Sequence, residues 1–264
     1  MLQSLVTRDV LARTTPPAAL GAVAPVTELL GPDAPLRNRL LNALPAEDLA
    51  QLRPQLELVH LEQRALLFDD EGPIRHVYFP ETAVVSLVSR LKEGGTVEVG
   101  TAGCEGMAGL SVFLAEGTSS VQAFAQIPGV AARMDTDAFS RLASAPGALH
   151  RLLLRYTQAF LTQVAQTAAC NGAHLVEDRC ARWLLMTHDR VDGDDFPLTH
   201  EFLAFMLGVR RAGVTVAMRA LQDAGLVRYA RGRVEVCDRA GLERASCECY
   251  RVVRAHFERL LPQG

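Results

Sequence analysis

Between Leu56 and Met134 the apolar residues come in short bursts, and turn residues close each burst. "RALLFDD", "IRHVYFP", "TAVVSLVSRL", "GTVEVG", "VQAFAQI" and "VAARM" are punctuated by Glu-Gly-Pro, Pro-Glu-Thr, Glu-Gly-Gly, Glu-Gly-Thr and Pro-Gly. Runs of this length at roughly ten-residue spacing predict six strands of a small antiparallel sandwich or barrel. Upstream, "PLRNRLLNALPAEDLAQLRPQLELV" predicts two short helices: Leu40, Leu41 and Leu44 recur at helical spacing, and Pro45-Ala-Glu-Asp opens the second. Residues 1–35 are rich in Ala, Pro, Thr and Leu with weak periodicity. They read as a poorly ordered tail with a short helix near Val26–Leu30.

After Pro146 the period changes. In "GALHRLLLRYTQAFLTQVAQTAAC" the residues Leu149, Leu153, Tyr156, Phe160, Val164 and Thr167 recur every three or four positions, as in a coiled-coil seam. A helix of about 24 residues is about 36 Å long, more than a small domain needs for its own packing. A parallel copy of the chain is the simplest partner for the stripe; a helix lying along its own β-domain is the alternative. Asn171-Gly172 reads as the break and hinge. The pattern therefore divides the chain into a β-domain (36–145), a dimerisation helix with its hinge (146–172) and a C-terminal domain (173–264).

The C-terminal domain reads helix ("HLVEDRCARWLLMTHDRV"), loop ("DGDDFP"), helix, turn, helix, hairpin, helix. Thr199 is a good N-cap for the second of these helices, with Glu201 in its first turn. Leu203, Ala204 and Leu207 face inward, Gly208 takes the turn, and Val209, Val214, Ala217 and Leu221 form the inner face of the next helix. That spacing is the helix-turn-helix constraint. It places Arg210 and Arg211 at the start of a recognition helix, with Ala212, Thr215 and Arg219 on the same outer side, and Thr199 joins them as a candidate DNA contact. Arg211 is the candidate reader of a guanine through paired N–H donors, and Arg210 the candidate phosphate contact. "GLVRYARGRVEV" follows as a tight hairpin, a wing whose Arg231 and Arg233 would lie against the DNA backbone. The alternative is an α/β module whose arginines only solvate one face.

Charge distribution supports the nucleic-acid reading more than net charge does. The chain carries −3 overall, with 27 Lys and Arg against 30 Asp and Glu. From Phe196 onward, eleven arginines face seven carboxylates, leaving +4 there and −7 before it. Six scattered cysteines suit reduced, mostly buried thiols in a cytoplasm better than a disulfide scaffold. No apolar run approaches a membrane span, and the N-terminus lacks a secretory h-region. "CECY" (247–250) places two thiolates one residue apart, which on a helix point in different directions, with only His256 near in sequence. No metal site is expected there. His60 and His76 lie in strands, where hydrogen-bonded histidines are commoner than haem ligands. Phosphate loops, an activated nucleophile and a frame of paired acids are all missing from the sequence, so an enzyme is not expected.

"LTHEFLAFMLGVRRAGVTVAMRALQDAGLVRYARGRVEVCDRAGLERASCECY" and the order of elements resemble the Crp/Fnr family of bacterial transcription regulators over about residues 36–262. The resemblance implies an α+β chain: an eight-stranded antiparallel β-roll of the cyclic-nucleotide-binding type, a long dimerisation helix, then a winged helix-turn-helix domain. It implies a homodimer on a palindromic double-stranded DNA site and RNA polymerase as a further partner. Arg211 falls where the family's base-reading arginine sits. The family pattern often has an acidic residue next; here Ala212 follows, and Val216 takes the next outward position, so the DNA sequence read should differ. Cyclic-nucleotide binders of the family use a Gly-Glu pair on the ribose and, about ten residues on, an arginine on the phosphate. Here "GCEGMAGLSVFLAEGTSSVQAFAQ" keeps Glu105-Gly106 in altered order, and the arginine position falls near Thr118. No Arg, Lys or His occurs between Lys92 and Arg133, which disfavours cyclic AMP as a cofactor. Glu105, Gly106, Met107, Thr118 and Ser119 remain the pocket candidates, with Gly106 amides as an anion site. The family's iron–sulfur members carry N-terminal cysteines, and the first cysteine here is Cys104. Two alternatives stay open: a cyclic-nucleotide-dependent regulator, and a ligand-binding module whose helix-turn-helix serves protein contacts.

Overall fold

The computed structural model describes residues 28–29, 35–91, 95–114 and 117–261. Apart from one short strand, the N-terminal tail lies outside the described residues. That strand, β1 (Glu28–Leu29), pairs with Leu58 and Glu57 where a helix was expected. Helices α1 (Arg39–Asn42) and α2 (Ala46–Leu52) follow as the periodicity predicts, α1 capped by the Asn38 side chain on Leu41 N–H.

Seven further strands complete the roll: β2 (Glu57–Leu61), β3 (Leu66–Phe68), β4 (His76–Pro80), β5 (Val84–Arg90), β6 (Thr96–Ala102), β7 (Gln122–Ile127) and β8 (Gly129–Asp135). They form two antiparallel four-stranded sheets, ordered β1-β2-β8-β4 and β3-β7-β5-β6. All six strands read from the sequence are present; β1 and β2 were not anticipated. A short helix α3 (Leu110–Phe113) lies between β6 and β7, and α4 (Thr136–Ser144) leaves β8 through Asp135, which caps Asp137 and Ala138 N–H.

In β5 and β7 burial does not alternate: Val84–Val88 and every residue of β7 are buried. A strand wet on one face alternates, so this sheet is covered on both sides. One face belongs to the roll core with Val85, Leu87, Ala123 and Ala125. Val84, Val88, Phe124 and Ile127 belong to the core of the C-terminal domain, which packs directly on the roll.

Helix α5 (Ala148–Ala173) runs 26 residues, through Asn171-Gly172 rather than breaking there, and ends at His174. Its predicted dimer seam is turned inward. Leu149, Leu153 and Tyr156 are buried in the roll core, Phe160 packs half-buried beside them, Thr167 is buried and Val164 is half-buried. The covering neighbours are β6 and the C-terminal helix α10 (Cys249–Leu260), whose Val253 and Phe257 join the roll core. A period of 3.6 identifies an apolar stripe but not which element covers it. The helix lies along its own chain on that side.

The C-terminal domain comprises α6 (Val176–His188), β9 (Asp195–Pro197), α7 (His200–Leu207), α8 (Arg211–Asp223), β10 (Val227–Ala230), β11 (Arg233–Val236), α9 (Arg239–Ala245) and α10. The hairpin read from the sequence gains a third strand, in the order β10-β11-β9. No helix among the described residues is long and apolar enough to cross a membrane.

Candidate nucleic-acid interface

Helix α7 starts at Thr199, whose Oγ1 accepts the Phe202 N–H at 3.1 Å. Phe202 through Leu207 are all buried because α6, α8 and β6 surround the helix. Gly208 ends it at φ +61°, a left-handed conformation that side chains oppose, and sends the chain into α8. Val214, Ala217, Met218 and Leu221 bury the inner face of α8. Arg211, Ala212, Thr215, Val216 and Arg219 are exposed on the other side, with Arg210 at the N-cap. Val216 is 63% exposed, an apolar side chain left largely open among the described residues. This is a convex helix face with cations at its N-terminal end, as major-groove reading requires.

His200 joins this face without having been singled out by sequence. Its Nδ1 lies 3.1 Å from Thr215 Oγ1, and its ring stacks on Tyr229 at 4.4 Å. Burial, and then the charge of Arg211, hold its pKa below the ordinary histidine value, so the ring adds no charge near neutrality. The Thr215 hydroxyl donates to Arg211 O at 3.1 Å. Arg219 lies 3.7 Å from Asp223 one turn on, an exposed pair of little energetic weight.

The wing turns at Arg231 and Gly232, with φ +50° and +74°, the two left-handed residues of a tight hairpin turn. Arg231 projects at the tip. Arg233 does not lie open beside it, because its guanidinium bonds Asp195 of β9 at 2.6 Å. Arg228 is likewise held by Glu235.

The five pocket candidates do not converge. Glu105 is buried against Arg190 of the C-terminal domain, with Oε1 2.7 Å from Nη2 and 2.8 Å from Nε. Burial works against the charge on Arg190, and Glu105 and Asp189 outweigh it, so its pKa is raised. At Gly106 a Cβ would come within 2.4 Å of the Tyr156 ring, whose hydroxyl donates to Met107 O at 2.8 Å. Tyr156 therefore occupies the space beside Gly106, and Met107 is sealed in the core. Thr118 and Ser119 lie elsewhere, along a bridge to Pro73 and a backbone bond to Glu71. Glu105 does line a cavity of about 240 Å³, but between the two domains, with Arg39, Arg190, Tyr250 and Arg254.

Nor do the cysteines of "CECY" behave as two residues on one helix. Cys247 precedes α10 and Cys249 opens it, and both meet Cys170 and His174 from the end of α5.

Residues 178–245, from α6 through α9, match a family model described as the Crp-like helix-turn-helix domain. The match spans the helix-turn-helix and the wing. Solved structures agree on the fold. FixK2 from Bradyrhizobium japonicum aligns at TM-score 0.63 and 16% identity, over 73% of this chain and 98% of that one. TTHB099, a CRP-family transcriptional regulator from Thermus thermophilus, aligns at 0.59 and 22%, over 71% and 95%. TTHA1359, a CRP/FNR-family regulator from the same organism, aligns at 0.57 and 18%, over 72% and 98%. No curated protein matches the chain.

Proposed function

We propose that the chain acts as a homodimer that reads a palindromic DNA site through α8 and the wing, without using cyclic AMP in the family's usual way. The outward row Arg211, Thr215, Val216 and Arg219, with Arg210 before it and Arg231 on the wing, carries this reading. Arg211 reads a base edge; Arg210 and Arg231 bond phosphates and set register.

The dimer reading is supported by the uncovered side of α5. Arg151, Leu154, Gln158, Leu161, Ala165, Ala168 and Gly172 are all exposed and alternate by three and four residues, a heptad seam. Leu154 and Leu161 are 51% and 56% exposed. This stripe replaces the one expected from sequence. RNA polymerase as a further partner rests on the family resemblance alone. Against ordinary cyclic-nucleotide use stand the Glu105–Arg190 pair, Tyr156 against Gly106, and the cation-free run from 93 to 132.

The test is fluorescence anisotropy on DNA selected from a random pool, at two salt concentrations, with and without cyclic AMP. Salt-dependent binding to a two-fold symmetric site, unchanged by the nucleotide, is expected. Binding that requires cyclic AMP would overturn the effector reading, and no saturable binding would overturn the whole.

A further inference from the structure

Three cysteines and a histidine that are far apart in sequence meet where the long helix ends. Cys170 lies in the last turn of α5, and His174 ends the same helix four residues on. Cys247 and Cys249 arrive from the start of α10 on either side of Glu248. Their three sulfurs and one ring nitrogen all lie within 4.8 Å of one another. Cys170 Sγ is 3.5 Å from Cys247 Sγ, and Cys249 Sγ is 3.7 Å from His174 Nδ1. Ligands about 2.3 Å from one tetrahedral ion stand about 3.8 Å apart, so the cluster has the size of a mononuclear site. All three thiols are buried.

Two observations separate this cluster from an apolar patch of thiols. His174 turns Nδ1 toward the sulfurs while Nε2 lies 3.3 Å from the Glu248 carboxylate, the arrangement that fixes the ring of a metal-bound histidine. The second is charge. Arg179 and Arg182 are buried beside the cluster, and neither pairs with a carboxylate within ion-pair distance among the described residues. Arg182 Nη2 donates to Thr167 Oγ1 at 2.8 Å, one turn before Cys170, and Arg179 donates to Leu207 O, but the Nε of each arginine is buried without a hydrogen-bond partner. Three thiolates around one divalent cation leave one negative charge, and with the Glu248 carboxylate on His174 the two negative charges match the two guanidinium groups. A Cys170–Cys247 disulfide would leave Cys249 and the orientation of His174 unexplained.

We propose that Cys170, His174, Cys247 and Cys249 bind one zinc-type divalent ion tetrahedrally. The ion clamps the end of α5 to the start of α10, across the junction where the C-terminal domain begins. Binding releases the thiol protons to solvent and involves no redox step. The site does not depend on how the chain reads DNA.

The full-length chain is expressed with zinc, purified under reducing conditions without chelator, and its metal counted by mass spectrometry. One ion per chain is expected. Cobalt(II) in its place should give a thiolate-to-cobalt charge-transfer band and the intense visible bands of a tetrahedral ion. Cys247→Ser should lose the metal, with circular dichroism as a check on folding. Glu248→Gln leaves all four ligands and should weaken zinc affinity by roughly tenfold or more, as loss of a ligand-orienting carboxylate does. Substoichiometric metal with all six thiols free overturns the proposal. So do an octahedral cobalt spectrum, a Cys170–Cys247 disulfide in the metal-free chain as purified, or full metal content in Cys170→Ser/Cys249→Ser.

Discussion

Glu98→Gln tests how the C-terminal domain is held on the roll. Glu98 is buried on β6, and burial pushes its carboxyl up from 4.5 to about 7, against bonds from Ser86 and Trp183 that act to lower it. Trp183 Nε1 donates to Oε2 at 2.8 Å. Ser86 Oγ lies 2.6 Å from Glu98 Oε1 and 2.8 Å from Gln126 Oε1, and Gln126 Nε2 donates to Thr187 Oγ1 at 2.8 Å. A hydroxyl has one proton and satisfies one acceptor. When Glu98 is the acid, it donates to Ser86, Ser86 donates to Gln126, and the whole chain of bonds from β6 to α6 is satisfied. When it ionises, one acceptor in that chain goes without.

In the native state Glu98 binds its proton more tightly than in the unfolded chain, so this contribution is fully present below about pH 4.5 and is lost as pH rises toward 7. The gap between 4.5 and about 7 corresponds to about 3 kcal/mol, an order-of-magnitude figure. Glutamine mimics the acid at every pH. The variant should match the wild type near pH 4.5 and exceed its stability by up to about 3 kcal/mol above pH 7. Trp183 is the chain's one tryptophan and touches the group in question, so urea titrations followed by its fluorescence between pH 4.5 and 8 are the assay. A stability difference that stays flat across that range, or a variant less stable than wild type at pH 8, refutes the reasoning.

Arg211→Ala should weaken binding to the selected DNA by about 1–3 kcal/mol and relax specificity at one position per half-site. Arg231→Ala should weaken binding to all sequences alike and reduce the salt slope by about one, as anisotropy at several salt concentrations will report. Leu161→Glu places a carboxylate in the exposed heptad of α5 and should yield monomers by light scattering, whereas Phe160→Ala should mainly destabilise the fold. Gly106→Ala forces a Cβ into the Tyr156 ring, which Phe160 and Phe257 back, and should cost at least about 1–3 kcal/mol in urea denaturation.

Local signals were the legible ones. Turn residues at ten-residue spacing located six strands, and Thr199, Gly208 and Arg211 located the helix-turn-helix, because caps and turns depend on neighbours in sequence. What escaped depends on distant partners. Strands β1 and β9 are two and three residues long and exist only through pairing with β2 and β11. Glu105 stands in the sequence as a pocket candidate, but its charge is neutralised by Arg190, 85 residues away. The Cys170–Cys247 contact spans 77 residues, so "CECY" read alone gave no hint of a site. Cys170-Asn-Gly-Ala-His174, an i, i+4 pair of ligand types at a helix end, is the one local signal from which the site could have been suspected.

Helix α5 shows why its two stripes were hard to tell apart. The inward stripe is the more apolar, with Leu149, Leu153, Tyr156 and Phe160, and hydrophobicity alone ranks it first as a partner surface. It is more apolar because it belongs to a core, between β6 and α10. The outward stripe is mixed, with Leu154 and Leu161 among Gln158, Ala165 and Ala168, a composition compatible with water on that side and with the proposed pairing of two copies. The same logic applies to the roll. Val84, Val88, Phe124 and Ile127 face the C-terminal domain, so that domain cannot swing away without exposing them. An effector that shifts the domain must therefore bind the displaced arrangement more tightly by at least the free energy of that contact, the Glu105–Arg190 pair and the Glu98 network together. The cavity between Arg39, Glu105 and Arg190 lies at that contact, so a ligand there acts on the interface directly.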